Sequence, residues 1–392
     1  MFLEETTEQL QLRQELRDYY AGLLTDEVRA ELAANQESGE LWRQVVRTMG
    51  KDGWLGLGWP TEYGGQGRPA TDQFIFFDET RRAGAPFPFV TINTVGPTLM
   101  GFGSEDQKSF FLPKILSGDV VFAIGYTEPG SGTDLASLRT RAERDGDMYV
   151  INGNKVYTSG ANEADYVWLA CRTNPDAPKH KGISIICVPT STPGFEWSLI
   201  TTVGGMTTTA TYYEDVRVPT TALVGQENEG WRMITTQLNH ERVGLAAWSG
   251  YSLQLFDEVL AWAAETETDD GRRVVDLPWV QLDLARAECE LEAMRLLNWK
   301  MATAVARDEV TAAQSSSIKV FGTERIIEIY RLLLGVVGAT GYLVPGSPGA
   351  ALGGRIEQSA RQCQINTFGG GVNEVQREIV AMAGLGMRRS AR

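Results

Sequence analysis

A loop rich in hydroxyl groups and glycine is the clearest candidate for chemistry in this sequence. The apolar run 120–124 ends in Tyr-Thr-Glu-Pro-Gly-Ser-Gly-Thr at positions 126–133. Glycine and proline hold such a loop open and let its backbone approach a ligand closely. The hydroxyls and exposed amides could donate hydrogen bonds to a phosphate or to a ring carbonyl. Taken by itself, such a stretch is more often a plain turn.

Proton-transfer chemistry in this chain is expected to fall to carboxylates. Only His180 and His240 occur among the 392 residues, so a histidine-based metal site is not expected and we predict no bound metal. The four cysteines, at positions 171, 187, 289 and 363, have neither metal-binding nor redox spacing, so we expect buried thiols.

The charge balance argues against several classes of partner. A net charge of −14 argues against nucleic acid, because phosphate binding requires a basic face. No apolar run reaches membrane-spanning length, and the polar start resembles neither a signal peptide nor a transit peptide. We therefore expect a cytoplasmic protein without membrane contact. Its 392 residues are enough for two or three domains, or for one large domain.

The elements that must position the loop fall into three blocks. Helical spacing dominates residues 1–119, where Ser104 and Gln107 form a capping-box signal. Residues 120–226 change to short β-prone runs without intervening helices, which favours an antiparallel sheet or a small barrel. Residues 227–392 return to long helical runs, which favour a four-helix bundle. We predict an α+β, mostly α fold with domains at these boundaries.

The same patterns give approximate bounds for individual elements. Strands are predicted at 120–124, 149–151, 166–170, 183–188 and 210–213. Long helices of the last block are predicted at about 230–263, 277–307, 310–334 and 372–383.

Seven sequence motifs follow one another along the whole chain. They begin at residues 59, 102, 127, 152, 215, 238 and 373, and they include Thr-Glu-Pro-Gly-Ser-Gly-Thr-Asp at 127–134 and Leu-Asn-His-Glu-Arg at 238–242. With these motifs in this order, the sequence resembles the acyl-CoA dehydrogenases. The resemblance implies a helical N-terminal domain, a central β-domain and a C-terminal four-helix bundle, which agrees with the three blocks above.

The chemistry that the resemblance implies is FAD-dependent desaturation of an acyl-CoA thioester. A carboxylate removes the α-proton, the β-hydrogen leaves as hydride to flavin N5, and the electrons pass to an electron-transferring flavoprotein. Because the α-proton is weakly acidic, hydrogen-bond donors must stabilise the enolate that develops at the thioester oxygen.

Two segments are expected by this resemblance to contact the flavin or the CoA. The first comprises Ile124, Tyr126 and Thr127 against the isoalloxazine ring, with Gly132 and Thr133 near the pyrophosphate or the CoA. The second comprises Tyr157, Thr158 and Ser159. Many family members have tryptophan where Tyr157 stands, and tyrosine keeps an aromatic wall. Without the resemblance, a strand aromatic that faces the core would be the preferred interpretation of Tyr157.

The resemblance also selects the catalytic base. Many family members carry it in a C-terminal Tyr-Glu-Gly-Thr-Asn-Glu segment, where this sequence has Gly370 in place of the first glutamate. A second group, typified by isovaleryl- and long-chain-acyl-CoA dehydrogenases, carries it in Leu-x-x-Glu-Arg, which here ends in Glu241 and Arg242. Glu241 is therefore the predicted base. A solvated Glu-Arg pair on a helix surface is the alternative.

Contacts to CoA are expected from the same motif. Arg242 matches an arginine that contacts the CoA, and Asn239 stands where an aspartate often does so. His240 is interpreted as a helix-surface residue.

Two departures from the family pattern concern the assembly. In homotetrameric members a neighbouring subunit completes the FAD site with Arg-x-x-Phe-Gly and Gln-x-x-Gly-Gly-x-Gly segments. Residues 269–276 replace the first segment here, and residues 335–341 have glycine in place of the glutamine of the second. We therefore expect a second acyl-CoA-dehydrogenase-like chain that completes the site. The sequence resembles the base-bearing subunit of the actinobacterial steroid side-chain dehydrogenases, which are α2β2 heterotetramers.

The triple glycine at 369–371 would widen the pocket for a branched or polycyclic acyl group. The alternative is a glycine-rich loop at the start of a helix that has no role in substrate binding.

Two other functions remain open at this point. One is a flavin oxidase or monooxygenase on the same fold, and the other is a non-catalytic subunit of a heteromer.

Overall fold

Two helical parts flank a β-sheet in a computed structural model of the chain. The structure describes the backbone of residues 4–34, 38–245 and 248–388, without the side chains of residues 33–34 and 238–249. The order of helical, β and helical parts is the one predicted from the sequence, and it confirms the mostly α, α+β fold class.

The N-terminal part consists of helices that pack around one aromatic core. In the described residues these helices are α1 (Thr7–Leu23), α2 (Asp26–Ala34), α3 (Glu40–Lys51), α4 (Ala70–Arg82), α5 (Gly96–Phe102) and α6 (Glu105–Leu116). The predicted capping box of α6 is present. Gln107 N donates to Ser104 Oγ at 3.2 Å, and Ser104 N donates to Gln107 Oε1 at 3.1 Å. A π-helical turn at Thr91–Val95 leads directly into α5, and such turns are frequent at functional sites.

The central part is one twisted sheet. Its strands are β1 (Phe122–Gly125), β2 (Arg141–Asp145), β3 (Met148–Lys155), β4 (Tyr166–Arg172), β5 (Ile183–Pro189), β6 (Phe195–Thr201), β7 (Thr207–Pro219) and β8 (Leu223–Val224). They lie in the order β6-β7-β3-β2-β4-β5-β8, and β1 pairs with β4. The five predicted strands are all found within or overlapping these bounds, whereas β2, β6 and β8 were not predicted.

Strand β1 is the main exception to the predicted antiparallel pairing; β2 also meets β4 in parallel, at the single pair of Arg141 and Arg172. Strand β1 runs parallel to β4, with Phe122 opposite Tyr166. The antiparallel prediction is wrong for this pair because the loop after β1, the β2–β3 hairpin and residues 156–165 together form a long crossover. Parallel neighbours require such a connection.

The C-terminal part returns to long helices. They are α7 (Gly230–Leu245), α8 (Trp248–Glu265), α9 (Pro278–Ala306), α10 (Ala312–Val337), α11 (Arg355–Gln362) and α12 (Asn373–Ile379) in the described residues. The predicted helix 230–263 corresponds to α7 and α8, and residues 246–247 between them lie outside the described residues. Helices α8, α9 and α10 share a second hydrophobic core.

The first core fixes α7 beside the sheet. Phe74 of α4, Trp168 of β4 and Ile234 of α7 are each at most 1% exposed and belong to this core. Helix α7 also packs against β5 and against the π-helical turn. Within the described part of the chain, no helix is both long enough and apolar enough to cross a membrane.

Candidate active site

A buried ion pair fastens the hydroxyl-rich loop that follows β1. The carboxylate of Glu128 accepts hydrogen bonds from Arg139 N at 2.7 Å and Thr140 N at 2.8 Å. The same carboxylate forms an ion pair with Lys155 Nζ at 2.9 Å, and Lys155 also donates to the carbonyl of Tyr126 at 3.0 Å. The side chains of Lys155 and Glu128 are 0% and 8% exposed. The loop is thereby tied at its centre to the end of β3.

The charge on Glu128 is stabilised by its partners. Burial raises the pKa of Glu128, but the charge of Lys155 and the donated hydrogen bonds outweigh burial and hold the pKa below its usual range. Glu128 is therefore an ionised anchor of the loop rather than a proton-transfer group.

The two predicted flavin segments lie side by side. Val156 N donates to the carbonyl of Thr127 at 2.9 Å, so Tyr157 follows directly after a residue bonded to the loop. Tyr157 has φ of +61° and is 62% exposed. A bulky residue in the left-handed region is uncommon and marks a constrained position. The alternative of a core-facing aromatic does not fit this exposure.

The neighbouring residues hold Tyr157 against β7. Thr158 N donates to the carbonyl of Thr209 at 2.9 Å, and the hydroxyls of Ser159 and Thr208 are 2.8 Å apart. Thr158 is fully buried, whereas Ser159 is exposed. Of the residues in this segment, Tyr157 and Ser159 are the ones available to a ligand.

The loop itself presents an open face. Gly132 and Thr133 are exposed, whereas Ile124, Tyr126 and Thr127 are half-buried. A Cβ built on Gly130 would meet nothing within 4 Å. A ligand can therefore approach the backbone here without displacing other side chains.

Helix α7 contacts the loop through Tyr126. The Tyr126 hydroxyl donates to Gln237 Oε1 of α7 and accepts from Trp168 Nε1 at 3.2 Å. Gln237 is 1% exposed. This contact brings α7, which carries the predicted base, next to the loop predicted to hold the flavin.

The predicted base and CoA contacts all fall on α7. Glu241 follows Gln237 by four residues, which is about one helical turn. The side chains of Asn239, Glu241 and Arg242 lie outside the described residues. Their roles therefore stay predictions, supported by the position of the helix.

The triple-glycine loop before α12 is held by a buried lysine. Lys319 Nζ of α10 donates to the carbonyls of Thr367 at 3.1 Å and Gly371 at 2.7 Å, and to Asn373 Oδ1 at 2.6 Å. Burial lowers the pKa of Lys319 to about 8. Gly370, which stands at the position expected from the resemblance to hold the glutamate base of many family members, has φ of +65°. A side chain in that conformation costs about 1–2 kcal/mol.

Residues 269–276, which replace the segment expected to bind a neighbour's FAD, belong to a turn that is held by its own contacts. Asp270 pairs with Arg272 at 2.6 Å, and Glu267 bridges to Arg273 along the backbone. Both charged side chains of the ion pair are more than half exposed. Arg272 and Asp270 thus pair with each other, whereas the exposed Arg273 donates to the carbonyl of Ala264.

Sequence reasoning missed the polar side chains that organise the site: Glu128, Lys155, Gln237 and Lys319. Two of them carried a usable signal. Lys155 continues the inward alternation of Tyr149 and Ile151 on β3, and Gln237 shares the inward stripe of Met233 and Ile234 on α7. A polar residue at an inward position implies a buried partner.

Comparison with known proteins identifies the family. Models described as the N-terminal, middle and C-terminal domains of acyl-CoA dehydrogenase match residues 6–119, 123–216 and 228–385. The chain belongs to the acyl-CoA dehydrogenase family. It is accordingly an acyl-CoA dehydrogenase, an oxidoreductase, which confirms the enzyme class expected from the motifs.

Several relatives match this acyl-CoA dehydrogenase over its whole length. Acyl-CoA dehydrogenase FadE26 of Mycobacterium tuberculosis is 51% identical over 401 residues, covering 100% of both chains. The structure named Tcur3481-Tcur3483 steroid ACAD is 60% identical with a TM-score of 0.94, covering 100% of both chains. The ChsE4-ChsE5 complex from Mycobacterium tuberculosis is 52% identical with a TM-score of 0.94, again covering 100% of both chains. These relatives support the resemblance to a steroid acyl-CoA dehydrogenase subunit.

Acyl-CoA dehydrogenases are generally FAD-dependent, and the residues present fit a flavin. An exposed aromatic ring at Tyr157 stands beside a loop with open backbone amides and hydroxyls. A planar aromatic group could pack against the ring of Tyr157, and its phosphates could accept hydrogen bonds from the amides and hydroxyls of the loop.

Proposed function

We propose that this acyl-CoA dehydrogenase desaturates a bulky acyl-CoA, with Glu241 as the base that removes the α-proton. When bound, FAD would accept the β-hydrogen as hydride and later release electrons to an electron-transferring flavoprotein. The loop at 126–133 and Tyr157 would orient the flavin, and Asn239 and Arg242 would contact the CoA.

The observation that carries this proposal is the contact between Tyr126 and Gln237. It joins the candidate flavin loop to α7, one helical turn before position 241. A base must lie within hydrogen-bond reach of the proton that it removes.

The proposed substrate is a steroid side-chain acyl-CoA or a similarly branched one. The name of the 60% identical structure contains the words steroid ACAD. Glycine in three consecutive positions at 369–371 would leave room there for a wide acyl group, although a Cβ on Gly371 would meet Gln376 Nε2 at 2.6 Å.

A panel of acyl-CoAs tests the substrate class. With a dye acceptor, we expect kcat/KM for a steroid side-chain acyl-CoA to exceed that for a straight-chain acyl-CoA by at least about 10-fold, because a wide pocket contacts a narrow chain poorly. Branched short acyl-CoAs are the comparison series. Equal or higher kcat/KM for straight chains would contradict the proposed substrate.

The proposed assembly is a heterotetramer with a second acyl-CoA-dehydrogenase-like chain. The segment at 269–276 supports it, because it lacks the Arg-x-x-Phe-Gly pattern expected to contact a neighbour's FAD, and its Arg272 pairs with Asp270 of the same turn. Two structural relatives are named as pairs of different chains.

Separate expression tests this assembly. We expect the chain alone to bind FAD well below one per chain, and co-expression with its partner to restore stoichiometric FAD. Flavin absorbance per protein chain after gel filtration measures both. Stoichiometric FAD on the chain alone would contradict the heteromer.

A further inference from the structure

Only one of the two polar groups of the Gln237 side-chain amide has a hydrogen-bond partner among the described residues. Its Oε1 accepts a hydrogen bond from the Tyr126 hydroxyl, whereas its Nε2 is buried without a partner among the described residues. The whole residue is only 1% exposed, so bulk water does not solvate this donor. A buried donor without an acceptor is unfavourable, and proteins rarely keep one without a reason.

The orientation of the amide is fixed by its neighbours. Trp168 Nε1 donates to the Tyr126 hydroxyl at 3.2 Å, and that hydroxyl donates its own proton to Gln237 Oε1. An indole nitrogen is only a donor, so the chain of hydrogen bonds runs in one direction. The free N–H group of the amide must therefore point away from Tyr126.

A second unpaired polar atom lies on the element that faces α7. The π-helical turn Thr91–Val95 packs against α7. The hydroxyl of Thr94, a residue 1% exposed, likewise has no partner among the described residues. Gln237 and Thr94 thus each carry one buried polar atom without a partner in the described part of the chain, on two elements that pack against each other. Each of these atoms could form a hydrogen bond with a polar ligand.

We infer that Gln237 is a substrate-binding residue whose Nε2 donates a hydrogen bond to an oxygen of the bound acyl-CoA. This inference rests on the proposed function, since it places the acyl-CoA beside α7. Tyr126 and Trp168 act as positioning residues that hold the amide. Gln237 thereby selects for an acyl-CoA that carries an acceptor oxygen within hydrogen-bond distance of Nε2.

The test uses the FAD-loaded complex with its partner chain. In Gln237→Leu, we expect the Kd of the acyl-CoA to rise about 10-fold, the effect of one lost hydrogen bond of about 1.4 kcal/mol. FAD content and the visible flavin spectrum without substrate stay unchanged. Gln237→Met provides a second variant of similar size in case Gln237→Leu folds poorly.

Two further variants separate this binding role from a structural one. Tyr126→Phe removes the hydroxyl that orients the amide and is expected to raise the Kd in the same direction by a smaller factor. Thr235→Ala changes an exposed threonine on the same helix, whose hydroxyl donates to the helix carbonyls of Trp231 and Arg232, and should change neither readout.

Other outcomes would overturn the inference. An unchanged Kd in both Gln237 variants would do so. A shifted flavin spectrum with an unchanged Kd would assign the acceptor to the flavin. If the wild-type complex is reduced by acyl-CoA and only the Gln237 effect is missing, the proposed function stands without this inference. If no acyl-CoA reduces the wild type, both fail.

Discussion

Glu241→Gln is expected to lower the rate of flavin reduction by acyl-CoA by at least about 10³-fold, within the range for removal of a general base. Glutamine has nearly the same size as glutamate but cannot accept the α-proton. The rate is measured by anaerobic stopped-flow mixing of acyl-CoA with the FAD-loaded complex. FAD content and acyl-CoA binding should be retained, because the amide preserves the shape of the side chain.

A matched control lies at the start of the same helix. Glu229 immediately precedes α7 and is exposed, so Glu229→Gln removes one negative charge without touching the site and should leave the rate unchanged. An undiminished rate in Glu241→Gln would instead favour the non-catalytic-subunit alternative, or a base elsewhere in the complex. These two explanations are separated by repeating the measurement with variants of the partner chain.

The sequence predicted the fold well because its periodic patterns are local. Helical runs and alternating strands report which face of an element is apolar, and this information is contained within a few residues. The capping box at Ser104 and the strand predicted at 166–170 are present in the structure, where the strand extends from Tyr166 to Arg172. The local patterns also gave the order of the helical, β and helical parts, and the family motifs agreed with it.

The parts that sequence reasoning missed depend on contacts between distant residues. Lys155 and Glu128 are 27 positions apart, and Tyr126 and Gln237 are 111 apart. No local pattern predicts that such distant residues are in contact. A polar residue at an inward-facing position predicts only that it has a buried partner. The parallel pairing of β1 with β4 was missed for the same reason, since it depends on the path of a long crossover.

The second large effect concerns the ion pair that anchors the loop. Lys155→Met is expected to lower the free energy of unfolding by about 3–5 kcal/mol, because it leaves the buried carboxylate of Glu128 without its counter-charge. Urea unfolding, followed by fluorescence and circular dichroism, measures this change. The FAD content of the complex should fall as well, since the pair holds the loop at 126–133 in place.

An exposed ion pair on the same loop provides the control. Lys179 pairs with Asp134 at 2.6 Å, with both side chains 60% exposed, so Lys179→Met should alter neither stability nor FAD content. The double variant Glu128→Leu with Lys155→Met removes both buried charges, and it should regain part of the lost stability. If FAD content remains low in this restabilised variant, the pair acts on the loop and not only on the stability of the fold. If Lys155→Met is as stable as the Lys179→Met control, the pair does not anchor the loop.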